Sequence, residues 1–134
     1  MSIKNEISVN EVMIKFEKTP KSSPITLLKE ALDIMDRHHL GIVCIVDNDG
    51  LLQGILTDGD IRRMLTKVQK PIAALMGDDV IKFCTLHPFT ISSEMLLKDA
   101  IALMQEKQIW DIPVTENNRL LGLLHLHPAI KALL

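Results

Sequence analysis

Apolar residues at Leu27, Leu28, Ala31, Leu32, Ile34 and Met35 recur at spacings of three and four, the signature of an amphipathic helix. Ser22 and Ser23 before Pro24 supply helix-start chemistry. The pattern then changes. "IVCIV", Ile42 to Val46, is a continuous apolar run rich in β-branched residues, which predicts a strand buried on both faces. "DNDG", Asp47 to Gly50, is a turn, and "LLQGILT", Leu51 to Thr57, is a second strand, together a hairpin. A helix is predicted from Ile61 to about Val68.

The same order occurs again. "LLKEALDIM", from Leu27, aligns without a gap on "LLKDAIALM", from Leu96, at an offset of 69. "VDNDGLLQGIL", from Val46, answers "VTENNRLLGLL", from Val114, at an offset of 68. This is an internal duplication, with one residue lost between Met104 and Val114, at a helix–strand junction. The second copy predicts a helix over 94–107, a strand over 110–114, a turn over 115–118, a strand over 119–125 and a helix over 128–134. Ser92 and Ser93 take the place of Ser22 and Ser23.

Each copy therefore reads β-α-β-β-α, too small to bury its apolar sheet alone. The expectation is a mixed α/β (α+β) fold: two repeats, 1–70 and 71–134, packed sheet against sheet about a pseudo-twofold axis. The connection from Lys70 to Cys84 is not rich in Gly or Ser, and its "PIAALM" resembles "VNEVM" near the start. The copies are expected to be halves of one module.

Composition narrows the function. With 134 residues, 47% hydrophobic and 24% charged, the chain has the makings of a packed domain rather than a disordered tail. A net charge of −2 without a block of five like charges argues against a nucleic-acid partner. The start shows no apolar leader, and the apolar run Leu40 to Val46 is far shorter than the ~20 residues that span a bilayer. Cys44 and Cys84 sit in apolar surroundings and read as buried thiols, which suits a reducing, cytosolic setting.

The polar chemistry concentrates in "GILTDGDIRR", Gly54 to Arg63, with Lys67 and Lys70 just beyond. In the plain structural reading Asp60 is a helix N-cap and Asp58-Gly59 a turn. The same geometry admits a ligand. A helix start offers free N–H groups to an anion and Thr57 adds a hydroxyl. A carboxylate three residues on can accept hydrogen bonds from a ribose, and Arg62 and Arg63 can bond phosphate.

Two β-α-β-β-α copies, the first carrying a Gly-h-h-Thr-x-x-Asp-h string, resemble a tandem cystathionine-β-synthase (CBS) domain pair, or Bateman module, over nearly the whole chain. The resemblance implies a non-catalytic regulatory module. Thr57 and Asp60 would meet the phosphate and ribose of an adenosine nucleotide or related ligand, with Asp58, Arg62 and Arg63 beside them. Ile42, Val43 and Trp110 lie on the strands that line the base pocket in such pairs. The implied ligand is AMP, ADP, ATP or a CMP-sugar, with no cofactor required and a homodimer as the assembly.

Within that family, "LGIVCIVDNDGLLQGILTDGDIRR" followed by "LLGLLHLH" looks like the C-terminal CBS pair of bacterial arabinose-5-phosphate isomerases, enzymes of Kdo, lipopolysaccharide and capsule synthesis. Pairs fused to sugar nucleotidyltransferases share the Thr-Asp-Gly-Asp-Ile-Arg-Arg string. The second copy departs from the pattern. Subtracting 68 places His125 opposite Thr57 and Pro128 opposite Asp60. A proline side chain accepts no hydrogen bond, so one ribose clip per chain is expected.

Other chemistry is weaker. Asp58 and Asp60 have no partner for acid–base catalysis, and no zinc-like spacing accompanies the histidines. His125 and His127, two apart, are predicted on one face of a strand. A ligand-free dimerisation module is the remaining alternative.

Overall fold

The computed structural model describes residues 6–134, so the reading of the chain's start falls partly outside the described residues. The chain divides into two compact units, and these are not its sequential halves. One unit runs from Pro20 to Pro88; the other joins the segment ending at Thr19 to Phe89–Leu134. The repeat boundary expected near residue 70 falls inside the unit Pro20–Pro88, so the connector after it packs with the first copy.

In the unit Pro20–Pro88, a short strand β2 (Lys21–Ser22) lies parallel to β3 (Ile42–Val46), with α2 (Leu28–His38) between them in sequence. β4 (Leu52–Thr57) returns antiparallel to β3, and a two-residue strand β5 (Thr85–Leu86) closes the order β2-β3-β4-β5. All five residues of β3 are buried, whereas β4 alternates, burying Leu52, Gly54 and Leu56. α2 and α3 (Asp58–Lys67) then cover the sheet. Leu28, Ala31, Met35, Val43, Ile45, Leu56 and Met64 form the core, with Leu75 of α4 (Ile72–Met76) and Val80.

The other unit repeats the plan. α1 (Val9–Val12) and β1 (Ile14–Lys15) come from the chain's beginning. α5 (Leu97–Lys107), β6 (Asp111–Glu116), β7 (Arg119–His125) and α6 (Leu126–Leu133) come from its end, and the strand order is β1-β7-β6. Ile91 bridges Val114 in parallel, the place that β2 holds beside β3. This unit has its own core around Val9, Leu97, Met104, Ile112, Val114 and Leu124.

Register corrects three expectations. Val114 pairs with Gly122 as Ile45 pairs with Gly54, so the offset is still 69 at Val114. The lost residue lies in the hairpin, not at the helix–strand junction. There a loop containing Gly50 at φ 82° is replaced by Asn117-Asn118 at φ 50° and 66°, a two-residue turn of the kind that matches strand twist.

Second, Lys15 pairs with Gly122 as Leu86 pairs with Gly54. The structural counterpart of "VNEVM" is therefore Val80–Cys84, at an offset of 71, rather than "PIAALM". α1 corresponds to the 3-10 turn Val80–Lys82. Third, the helices begin elsewhere than the serines suggested. Ser22 is in β2, and Ser23 closes a turn with Thr26, whose Oγ1 accepts the Ser23 N–H at 3.0 Å. α2 and α5 start after Leu27 and Leu96, with no side-chain cap.

No helix among the described residues is long and apolar enough to cross a membrane. Neither Cys44 nor Cys84 is in a disulfide; the first is buried and the second partly so.

Candidate functional site

The site forms where β4 runs directly into α3. The helix begins at Asp58, three residues earlier than the sequence suggested, so Thr57 is the N-cap and Asp60 the third helical residue. Asp60 is therefore not the cap but its reciprocal partner. Its backbone N–H donates to Thr57 Oγ1 (3.2 Å), while Thr57 N–H and Oγ1–H donate to Asp60 Oδ2 (2.9 and 3.1 Å). This capping box satisfies donors that a helix start leaves orphaned.

The other carboxylate oxygen is also occupied. Asp60 Oδ1 accepts from Arg63 Nη2 at 2.7 Å and from the Thr85 hydroxyl at 2.8 Å. A carboxylate has about four lone-pair positions, and all four are used. Asp60 is 7% exposed, whereas the Arg63 side chain is 51% exposed. Thr85 was missed by sequence reasoning. It stands 25 residues from Asp60 on β5, and only the β4–β5 register brings it there.

The remaining residues divide. Ile42 pairs in register with Thr57, and Ile42 and Val43 are buried in β3. Arg62 is exposed. Asp58 looks elsewhere: with Leu32, Met35, Asp36, His39, Leu40, Gly41 and Ile61 it lines an open cleft of about 410 Å³. Trp110 belongs to the other unit, where it is 70% exposed. The Cys84 thiol, one residue before Thr85, is pushed up in pKa by burial and then by the nearby Asp60 charge.

The second copy replaces this cluster. His125 is the N-cap of α6 and Pro128 its third residue, the positions of Thr57 and Asp60. Proline fits a first helical turn, whose N–H groups lack intrahelical partners. Ile14 takes the place of Thr85. His125 Nδ1 instead meets Asp111 Oδ1 at 2.7 Å across the β6–β7 pair. His127 is helical, so the two histidines do not share a strand face. Among the described residues no group of three or more His, Cys, Asp or Glu is placed to hold a metal.

Fold and site define a duplicated α+β module with a polar cluster at the start of α3. The CBS domain pattern matches it twice, at residues 9–67 and 74–133, and the chain belongs to the CBS-domain family. It is 30% identical over 131 residues to the arabinose 5-phosphate isomerase KdsD of Escherichia coli K12, covering 94% of this chain and 37% of the isomerase. It is similarly 30% identical to the uncharacterized protein RP505 of Rickettsia prowazekii, covering 92% and 37%. The chain thus spans little more than a third of these relatives. Among solved structures it resembles CBSX2 in complex with AMP, at a TM-score of 0.82 and 23% identity over 94% of this chain and 95% of that one. It also resembles the CBS pair of MJ0100 in complex with 5-methylthioadenosine and S-adenosyl-L-methionine, with TM-score 0.76 and 20% identity over 92% and 93%.

Proposed function

We propose that this chain is a regulatory module that binds a nucleotide or nucleotide-sugar and performs no catalysis of its own. The observation that carries the reading is the Asp60 carboxylate. It is held at the start of α3 by Thr57, with two guanidiniums, Arg62 and Arg63, in the next helical turn. Asp60 serves as the ribose acceptor, while Thr57 and the arginines serve a phosphate. Ile42 and Val43 on the adjoining strand contribute to the base pocket. The complexes of CBSX2 with AMP and of MJ0100 with S-adenosyl-L-methionine support an adenosine-type ligand; CMP-sugars are the second class.

The module acts on something else, in the cytoplasm and as a homodimer, with sequence repeats 1–70 and 71–134. The similarity to KdsD favours one particular setting, the regulatory part of an arabinose-5-phosphate isomerase. A sugar nucleotidyltransferase is the alternative host, and a ligand-free dimerisation module is the rival from another class.

The deciding experiment is a thermal-shift screen against AMP, ADP, ATP, S-adenosylmethionine, CMP and a CMP-sugar. A ligand of the folded state raises the melting temperature in proportion to the logarithm of its excess concentration. No shift with any of them, alongside a dimeric mass by light scattering, selects the dimerisation module instead.

A further inference from the structure

Resting on that reading, we propose that Arg63 and Thr85 form a latch on Asp60. They occupy the ribose acceptor, and a ligand binds by displacing them. All four acceptor positions of the carboxylate are filled from within the chain. Asp60 is 7% exposed, so a ribose hydroxyl reaches it only in exchange for an existing donor.

The two oxygens differ in what exchange costs. Oδ2 holds the capping box, and opening it frees backbone donors at the start of α3. Oδ1 holds only side-chain donors. Arg63, half exposed, can turn into water and keep its charge solvated. Thr85 lies on a two-residue edge strand and its hydroxyl can turn to solvent. Oδ1 is the exchangeable side.

The second copy supports treating these residues as one device. There Pro128 replaces Asp60, and with it the cluster's other members change together: Ile14 stands for Thr85, and Lys131, 68 positions on, for Arg63. Where the acceptor is missing, the latch is missing.

The latch also gives occupancy a route out of the site. β5 is pinned to β4 at only two register positions, Gly54–Leu86 and Ile55–Thr85, and the Thr85–Asp60 bond is its side-chain tie to α3. Chain leaving β5 passes at once to Pro88, the last residue of its unit. A ligand that takes Oδ1 therefore loosens the segment that leads into the second copy. Thr85 is a positioning residue in this scheme, setting affinity by competing with the ligand.

Thr85→Val removes the hydroxyl and keeps the branching, and Thr85→Ser restores a donor. Calorimetric titration with AMP and with CMP should show about three- to tenfold tighter binding for Thr85→Val, one competing hydrogen bond having been removed. Thr85→Ser should bind like the wild type. Amide exchange at Thr85 and Leu86 should quicken on nucleotide addition, and in the valine variant without nucleotide. Binding by the valine variant alone also supports the latch. Equal or weaker binding by a folded Thr85→Val overturns the latch and leaves the nucleotide reading standing. Failure of AMP, CMP and every other ligand of the thermal-shift screen with all three proteins overturns both.

Discussion

Thr57 and Asp60 cap the same helix for each other, the threonine through its hydroxyl and the aspartate through Oδ2. Asparagine serves about as well as aspartate at an N-cap, so a capping Asp60 would tolerate Asp60→Asn. At the third position, with Oδ1 also accepting from Arg63 and Thr85, it does not. An asparagine keeps one acceptor oxygen and turns the other into a donor. Hydrogen bonds to a charged group are worth about 1.5–3 kcal/mol, and the half-exposed Arg63 reduces its share, so Asp60→Asn should cost about 2 kcal/mol. Urea unfolding measures this. The same variant should bind ribonucleotide at least about tenfold more weakly. An unchanged unfolding midpoint would contradict the bonds from Arg63 and Thr85 to Oδ1.

Gly54 is packed against β5, with the Thr85 backbone its nearest neighbour. A Cβ there would stand 2.7 Å from the Thr85 carbonyl oxygen and 3.0 Å from Cys84 Sγ. β5 must move away or β4 must bend, and overpacking of this kind costs about 1–3 kcal/mol. Gly54→Ala should therefore lower stability and loosen β5, and the second symptom separates it from a general core defect. Hydrogen exchange at Leu86 reads it directly. The Cβ of Gly122→Ala would collide with the Ile14 carbonyl, and that change should do the same to β1.

Much of this architecture was legible along the chain, and the exceptions have physical causes. The strand Ile42–Val46 falls where its continuous apolar run puts it, and the strand 119–125 where the internal repeat puts it. Helix starts were less legible, because Leu27 and Leu96 hold N-cap positions with no capping side chain to announce them. Asn117-Asn118 shows how a turn hides a deletion: an alignment can slide it by several residues, whereas hydrogen-bond register cannot. The exchange of α1 and β1 into the other copy's unit depends on long-range pairing that no local pattern encodes. In the site, Thr57, Asp60 and Arg63 are neighbours in sequence and could be read together. Thr85 could not, since its only signal is its place on a strand beside β4.

Cys84 offers a built-in probe of the Asp60 charge. Burial holds its thiol above the ordinary range, and the Asp60 carboxylate adds to the shift by opposing a second negative charge. A thiolate is the reactive form, so alkylation of Cys84 should rise only at a pH above that of an exposed cysteine. Asp60→Asn removes the opposing charge, and the profile should move toward lower pH while burial keeps it above the ordinary value. Cys44, fully buried, leaves the signal to Cys84. Peptide mass spectrometry after iodoacetamide pulses across alkaline pH reads the profile. A profile unmoved by Asp60→Asn would mean that the carboxylate does not act on the thiol.

The two copies should differ in what they bind. Thr57 and Asp60 form a polar helix start, whereas His125 and Pro128 hold the same two positions with the histidine turned to Asp111. A ribose hydroxyl is a donor and finds an acceptor at Asp60; Pro128 provides none. Calorimetric titration with the best ligand of the screen should give about one ribose-dependent site per chain, and the 2′-deoxy analogue should bind more weakly at that site. Pro128→Asp tests the converse. In the first turn of α6 an aspartate is favoured by the helix dipole, by about 0.3–1 kcal/mol, so the variant should remain folded. With Ile14 in place of Thr85 and Lys131 in place of Arg63, the new carboxylate lacks the latch's threonine hydroxyl and guanidinium. A second ribose-dependent site appearing in Pro128→Asp would show that the missing acceptor is what silences this copy. Two such sites in the wild type would show that Pro128 does not.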